Sequence, residues 1–113
     1  MLEILYYPEG SRGPVREYLD RLAKDRPKAF ARLALDLEVL AAEGGRSQQI
    51  TVRPLGSKLW ELKREYDGIQ YRLFFGIRRG IVWLLHNLEK KSAKTPKDDL
   101  ELARKRLKEV MRQ

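Results

Sequence analysis

The spacing of apolar positions changes along the chain, and each change predicts an element. Leu2 to Tyr7 alternates loosely until Pro8-Glu9-Gly10 ends it, which reads as a strand. Ser11 to Pro14 is a helix start, because proline suits the first helical turn, and Val15, Tyr18, Leu19 and Leu22 then recur at helical spacing. Pro27 interrupts that pattern after Arg26 and opens a second helix. Its apolar face is Phe30, Leu33, Ala34, Leu37, Leu40 and Ala41, and Gly44-Gly45 stops it. Two helices joined at Asp25 to Pro27 are expected to lie antiparallel.

Beyond the polar loop Gly45 to Gln49 the period becomes two. Ile50 to Pro54 is expected as a short lead-in strand. Leu59 to Tyr66 sets Trp60, Leu62, Arg64 and Tyr66 on one face, with Glu61, Lys63 and Glu65 on the other. Asp67-Gly68 is a strong hairpin signal. After it Ile69, Tyr71, Leu73, Phe75 and Ile77 alternate with Gln70, Arg72, Phe74 and Gly76. Arg79-Gly80 makes a second turn. The nearly continuous apolar run Ile81 to Leu88 is expected to be the central strand of a sheet, buried on both faces. In the last element Thr95 reads as the N-cap, Pro96 as the first helical residue and Asp98 as part of a capping box; Leu100, Ala103, Leu107 and Val110 form its apolar stripe. The order is strand, two antiparallel helices, a three- or four-stranded antiparallel meander and a C-terminal helix. This predicts an α+β fold in a single domain spanning residues 1–113.

Composition narrows the chemistry. A net charge of +8 on 113 residues favours polyanionic partners: RNA, DNA, an anionic membrane surface or an acidic protein. The absence of cysteine excludes a disulfide framework, a thiol nucleophile and a cysteine-based zinc site. With one histidine and no carboxylates at metal-ligand spacing, neither a metal nor another cofactor is expected. MLEILYYPEG does not read as a signal peptide, and no apolar stretch approaches the roughly 20 residues of a membrane helix. A cytoplasmic location without membrane association is therefore expected. Lys90, Lys91 and Lys94 lie between His86 and the helix start at Thr95-Pro96, which puts several cations and an imidazole at a strand exit beside a helix N-terminus. That grouping suits a phosphate-rich partner, bound or cut.

LWELK at Leu59, YRLFF at Tyr71 and LLHNLEKKSAKTPKDDLELARKR at Leu84 together carry a resemblance. From about Leu55 to Lys108 the chain resembles the HigB-like, phage-type branch of the RelE/ParE toxin superfamily. Members of that branch read roughly as LWELR, YRIFY, LLHGF, KK, KTP and an acid-rich helix with A-x-x-R. Asn87 departs from a common glycine, Glu89 adds an acid to the basic loop, and Ser92-Ala93 replaces the usual Thr-Gln. The resemblance implies a RelE-like domain and a type II toxin that cleaves mRNA on the translating ribosome. It also implies neutralisation by a cognate antitoxin, expected as a small helix-turn-helix protein. A sister branch poisons DNA gyrase without nuclease activity, so a binding toxin, or an inactive nucleic-acid-binding relative, is the alternative.

Metal-free RNA cleavage requires a base for the 2′-OH, an acid for the 5′ leaving oxygen and cations for the charge on the phosphate. Arg72 suits the last role, as the corresponding strand arginine does in the family; its other expected partner is a surface cross-strand contact with Glu61 or Glu65. Lys63, on the same face, can bind phosphate or act as a base when neighbouring positive charge favours its neutral form. His86 can protonate the leaving oxygen or serve as a half-buried structural group. Lys90, Lys91, Lys94 and Arg64 are the expected RNA-binding cations. Trp60, Tyr66 and Trp83 are expected in the core rather than stacked on bases, Tyr71 is expected on the buried face, and Thr95 is assigned to capping.

Overall fold

A computed structural model describes residues 1–90 and 94–112. β1 (Glu3–Tyr6) leads into α1 (Pro14–Asp25) and α2 (Pro27–Glu43), with a proline at the start of each helix. A short 3-10 turn at Gly44–Arg46 follows, then β2 (Thr51–Gly56), β3 (Leu59–Tyr66), β4 (Ile69–Arg78), β5 (Ile81–Lys90) and α3 (Lys97–Met111). None of the described helices is long and apolar enough to cross a membrane.

The strands form one mixed sheet in the order β1-β5-β4-β3-β2. β2 to β5 are the antiparallel meander, four-stranded, and β1 returns to lie parallel beside β5. Asp67 and Gly68 both take positive φ (51° and 78°) between the paired residues Tyr66 and Ile69, the two-residue hairpin turn that the Asp-Gly pair announces. Arg79-Gly80 repeats it. Ser57-Lys58 makes a third positive-φ turn that its residue types do not advertise.

Two departures follow from how the strands pair. The strand expected at Ile50 to Pro54 begins one residue later and runs on to Gly56, drawn out by its register with β3. The middle of the sheet is β4, not β5. β4 is buried continuously from Tyr71 to Gly76, and β5 stands one place from the edge, although its Val82 to Leu85 are buried on both faces as expected.

Those helices make a three-layer domain. α1 and α2 close one face over Leu62, Tyr71, Leu73, Phe75, Val82 and Leu84. α3 closes the other over Leu59, Phe74, Trp83 and Leu85, contributing Ala103, Leu107 and Val110. Gly76 permits that second contact: a Cβ there would stand 2.3 Å from Leu107 Cδ1.

A β-bulge decides what reaches the α3 face. Phe74 pairs with His86 but Phe75 pairs with Leu84, so Leu85 is the extra residue. The alternation resets there. Leu84 packs under α1 and α2, Leu85 under α3, and His86 also turns toward α3 to stack on Phe74, with ring centroids 5.8 Å apart.

Candidate functional site

The registers set Lys63 directly opposite Arg72 and Arg53 directly opposite Glu61. Period-two alternation then puts Thr51, Arg53, Glu61, Lys63 and Arg72 on the face that α3 half covers. These five line a hollow of about 140 Å³ at the open end of the sheet.

Its floor is an ion pair. Arg72 is 1% exposed and Glu61 0%, and Arg72 Nη1 donates to Glu61 Oε1 and Oε2 at 3.0 and 3.1 Å. Arg72 also donates to Gln70 Oε1 (2.8 Å) and to the Thr95 hydroxyl (3.2 Å). The Thr95 hydroxyl in turn donates to Glu61 Oε2 (3.0 Å). On the solvent side Arg53, with 52% of its side chain exposed, donates from Nε to Glu61 Oε1 at 2.9 Å. Its Nη2 lies 3.5 Å from Thr95 Oγ1. The expected Arg72–Glu61 cross-strand contact therefore exists, but as a buried pair and not a surface one.

The capping role expected of Thr95 is not observed. α3 begins at Lys97 with Pro96 as its N-cap and no side-chain cap bond, because the Thr95 hydroxyl is committed to the buried carboxylate. The first turn holds Asp98 and Asp99. Asp99 accepts a hydrogen bond from His86 Nε2 at 2.7 Å, which orients an imidazole already stacked on Phe74. His86 and Arg72 lie on neighbouring strands of the same face, one diagonal step apart.

The remaining cations divide. Lys90, opposite Gln70 at the end of β5, donates to the Lys94 backbone carbonyl (2.6 Å), so both border the same end of the sheet. Lys91 lies outside the described residues. Arg64 is not brought to this site. It is on the α2 face, where Nε and Nη2 donate to Asp36 Oδ2 and Oδ1 at 2.8 and 2.6 Å, and these bonds push its pKa up. Trp60 and Trp83 pack in the cores, and Tyr66 packs against one of them under the Arg32 guanidinium.

Glu89, expected to add negative charge to the basic loop, instead faces the opposite side. It accepts from the Tyr18 hydroxyl (2.5 Å) and from Arg26 (3.1 Å), while Arg26 also donates to the Tyr71 hydroxyl (3.1 Å). Burial first, and the bond to Glu89 second, raise the Tyr18 pKa above the ordinary phenol range.

Arg53, Asp99 and the buried role of Glu61 were not singled out from sequence. The alternation of Thr51, Arg53 and Leu55 carried a signal for Arg53; nothing local carried one for Asp99.

Fold and site together define a small basic α+β domain with a cation-walled hollow at one sheet end and a carboxylate-oriented histidine near it. The chain belongs to the phage-derived Gp49-like protein family (DUF891), whose sequence profile matches residues 17–108. This is a toxin-like family related to the RelE-type toxin endoribonucleases. No curated protein matches the chain by sequence.

Proposed function

We propose that the protein is the toxin of a type II toxin–antitoxin system, of the HigB-like branch and RelE-like fold, that cleaves mRNA on the ribosome without a metal. The observation that supports this reading is Lys63 and Arg72 lining a small hollow, with His86 one diagonal step from Arg72 on the same sheet face. The 2′-oxygen of RNA attacks the adjacent phosphorus and the P–O5′ bond breaks, leaving a 2′,3′-cyclic phosphate and a 5′-hydroxyl. Arg72 and Lys63 set positive potential where charge develops on the phosphate oxygens. Lys63 either neutralises the phosphate or takes the 2′ proton, and a pH–rate profile separates the two. His86 protonates O5′; with Nε2 held by Asp99, Nδ1 is the nitrogen left to deliver that proton. Lys90, Lys91 and Lys94 grip flanking phosphates electrostatically.

Such an activity in its own host calls for a neutralising partner, a small helix-turn-helix antitoxin with an acidic segment that competes with RNA for these cations.

The test is a cell-free translation reaction with a defined mRNA, with and without ribosomes, cuts being mapped by primer extension. Ribosome-dependent cuts made by the wild type and lost in His86→Ala and Arg72→Lys support the reading. Because Arg72 is buried, each variant is accepted only if its thermal unfolding shows that it folds. That same burial is the observation favouring a second reading, in which Arg72–Glu61 is purely structural and the protein is a binding toxin. Intact mRNA alongside growth arrest selects it, and gyrase supercoiling is then assayed.

A further inference from the structure

The hollow contains a cation that the chemistry above does not use. Arg72 and Glu61 form its floor and are almost closed to solvent, so neither presents a surface that an incoming RNA meets first. Arg53 is on the solvent side of the same carboxylate, half exposed, on a strand that pairs with β3 alone. One carboxylate is thus shared by two guanidinium groups, and Lys63 stands beside them without an ion pair among the described residues. Arg53, Arg72 and Lys63 against Glu61 leave two positive charges in excess around a space of about 140 Å³. Pockets for drug-sized ligands begin at roughly 300 Å³. This one is well below that, a size that suits a phosphate group.

We propose that Arg53 is the guanidinium that contacts the RNA phosphate in this hollow, and that the buried Glu61–Arg72 pair positions it. Glu61 fixes Arg53 through Nε, so little of the side chain's freedom remains to be lost on binding, and a planar fork is the cation best matched to two phosphate oxygens. Thr95, bonded to Glu61 and within reach of Arg53, helps hold the two in place. Arg72 then acts through Glu61 and through its field, which agrees with its burial. The inference rests on the nuclease reading only in taking the phosphate to be that of RNA.

The experiment separates binding from cleavage. A fluorescein-labelled single-stranded RNA with 2′-O-methyl sugars, which cannot be cut, is titrated with the protein at low salt and followed by anisotropy. Arg53→Ala is expected to weaken binding by about tenfold, the loss of one charge-assisted contact. Arg53→Lys keeps the charge but not the fork and is expected to fall between. Lys105→Ala, the same change of charge at an exposed position on α3, is expected to change affinity less than twofold. As a readout that a purely structural role would not move, the Arg53 Nε–H resonance shifts on RNA addition while that of Arg64 does not. A wild type that binds no RNA, or an Arg53→Ala protein that is folded and binds like Lys105→Ala, overturns the proposal. If Arg53→Ala fails to fold, the Arg53→Lys affinity and the wild-type resonance decide. Arg53-dependent binding by a protein that never cuts mRNA would keep the phosphate site and discard the nuclease reading; cleavage indifferent to Arg53 would do the reverse.

Discussion

Glu61 is where the competing demands of stability and chemistry meet. A fully buried carboxylate is tolerable only with its lone pairs satisfied, and here Arg72, Arg53 and Thr95 satisfy them. Removing one partner strands the other, so Arg72→Ala should destabilise the protein by about 3 kcal/mol or more, measured by urea unfolding, whereas the double replacement of Arg72 and Glu61 by methionine should cost much less. If the single and double changes cost the same, the pair does not act as a unit. His86 poses a different question, since it is held by Asp99 and by Phe74 and not by the buried ion pair. On the nuclease reading, His86→Ala lowers kcat about 10²- to 10⁴-fold with RNA affinity nearly intact. Asp99→Asn keeps the hydrogen-bonding shape but removes the charge, and should give a smaller loss of kcat.

At the scale of elements, α3 and the elbow between α1 and α2 hold the site from opposite faces. α3 lies close enough to β4 that position 76 has no room for a side chain, and Gly76→Val should lower stability by roughly 1–3 kcal/mol through overpacking against Leu107. Loss of the His86–Asp99 bond should accompany it, seen as a change in the His86 ring resonances, because Asp99 is carried by the helix that must move. On the far face Tyr18, Glu89 and Arg26 tie the end of β5 to the helices. The Tyr18 pKa is raised on folding. Its contribution is therefore complete below the unfolded phenol value of about 10 and is lost as pH rises through the folded one. Melting temperatures followed from about pH 9 to 11 should fall more steeply for the wild type than for Tyr18→Phe; parallel curves would remove Tyr18 from the account.

Across the whole molecule the net charge of +8 dominates association. Binding to single-stranded RNA should weaken linearly on a log–log plot against salt, by about 0.7 per phosphate contact. Replacing Lys90, Lys91 and Lys94 with alanine should reduce that slope by about two, and no change in slope would mean that these lysines are simply solvated. The sheet is closed by helices on both faces, and the five-residue hollow opens at one end of it.

Much of this architecture is local and was legible. Proline at each helical start, the apolar period of each element and the Asp67-Gly68 turn depend on residues a few positions apart. They determined the two-helix hairpin, the meander and the α+β class. The same turn set the register that aligns Lys63 with Arg72. What the chain could not state locally was decided by contacts between distant segments. β1 finds β5 across some 75 residues, and the bulge at Leu85 turns His86 toward α3 against simple alternation. Thr95 carries the sequence signature of a cap, yet a buried carboxylate 34 residues away claims its hydroxyl. Arg64 reads as one more cation in a basic strand until Asp36 of α2 takes it. In the last two cases a buried carboxylate had to be satisfied by whatever the fold brought near, and only the tertiary structure chooses that neighbour.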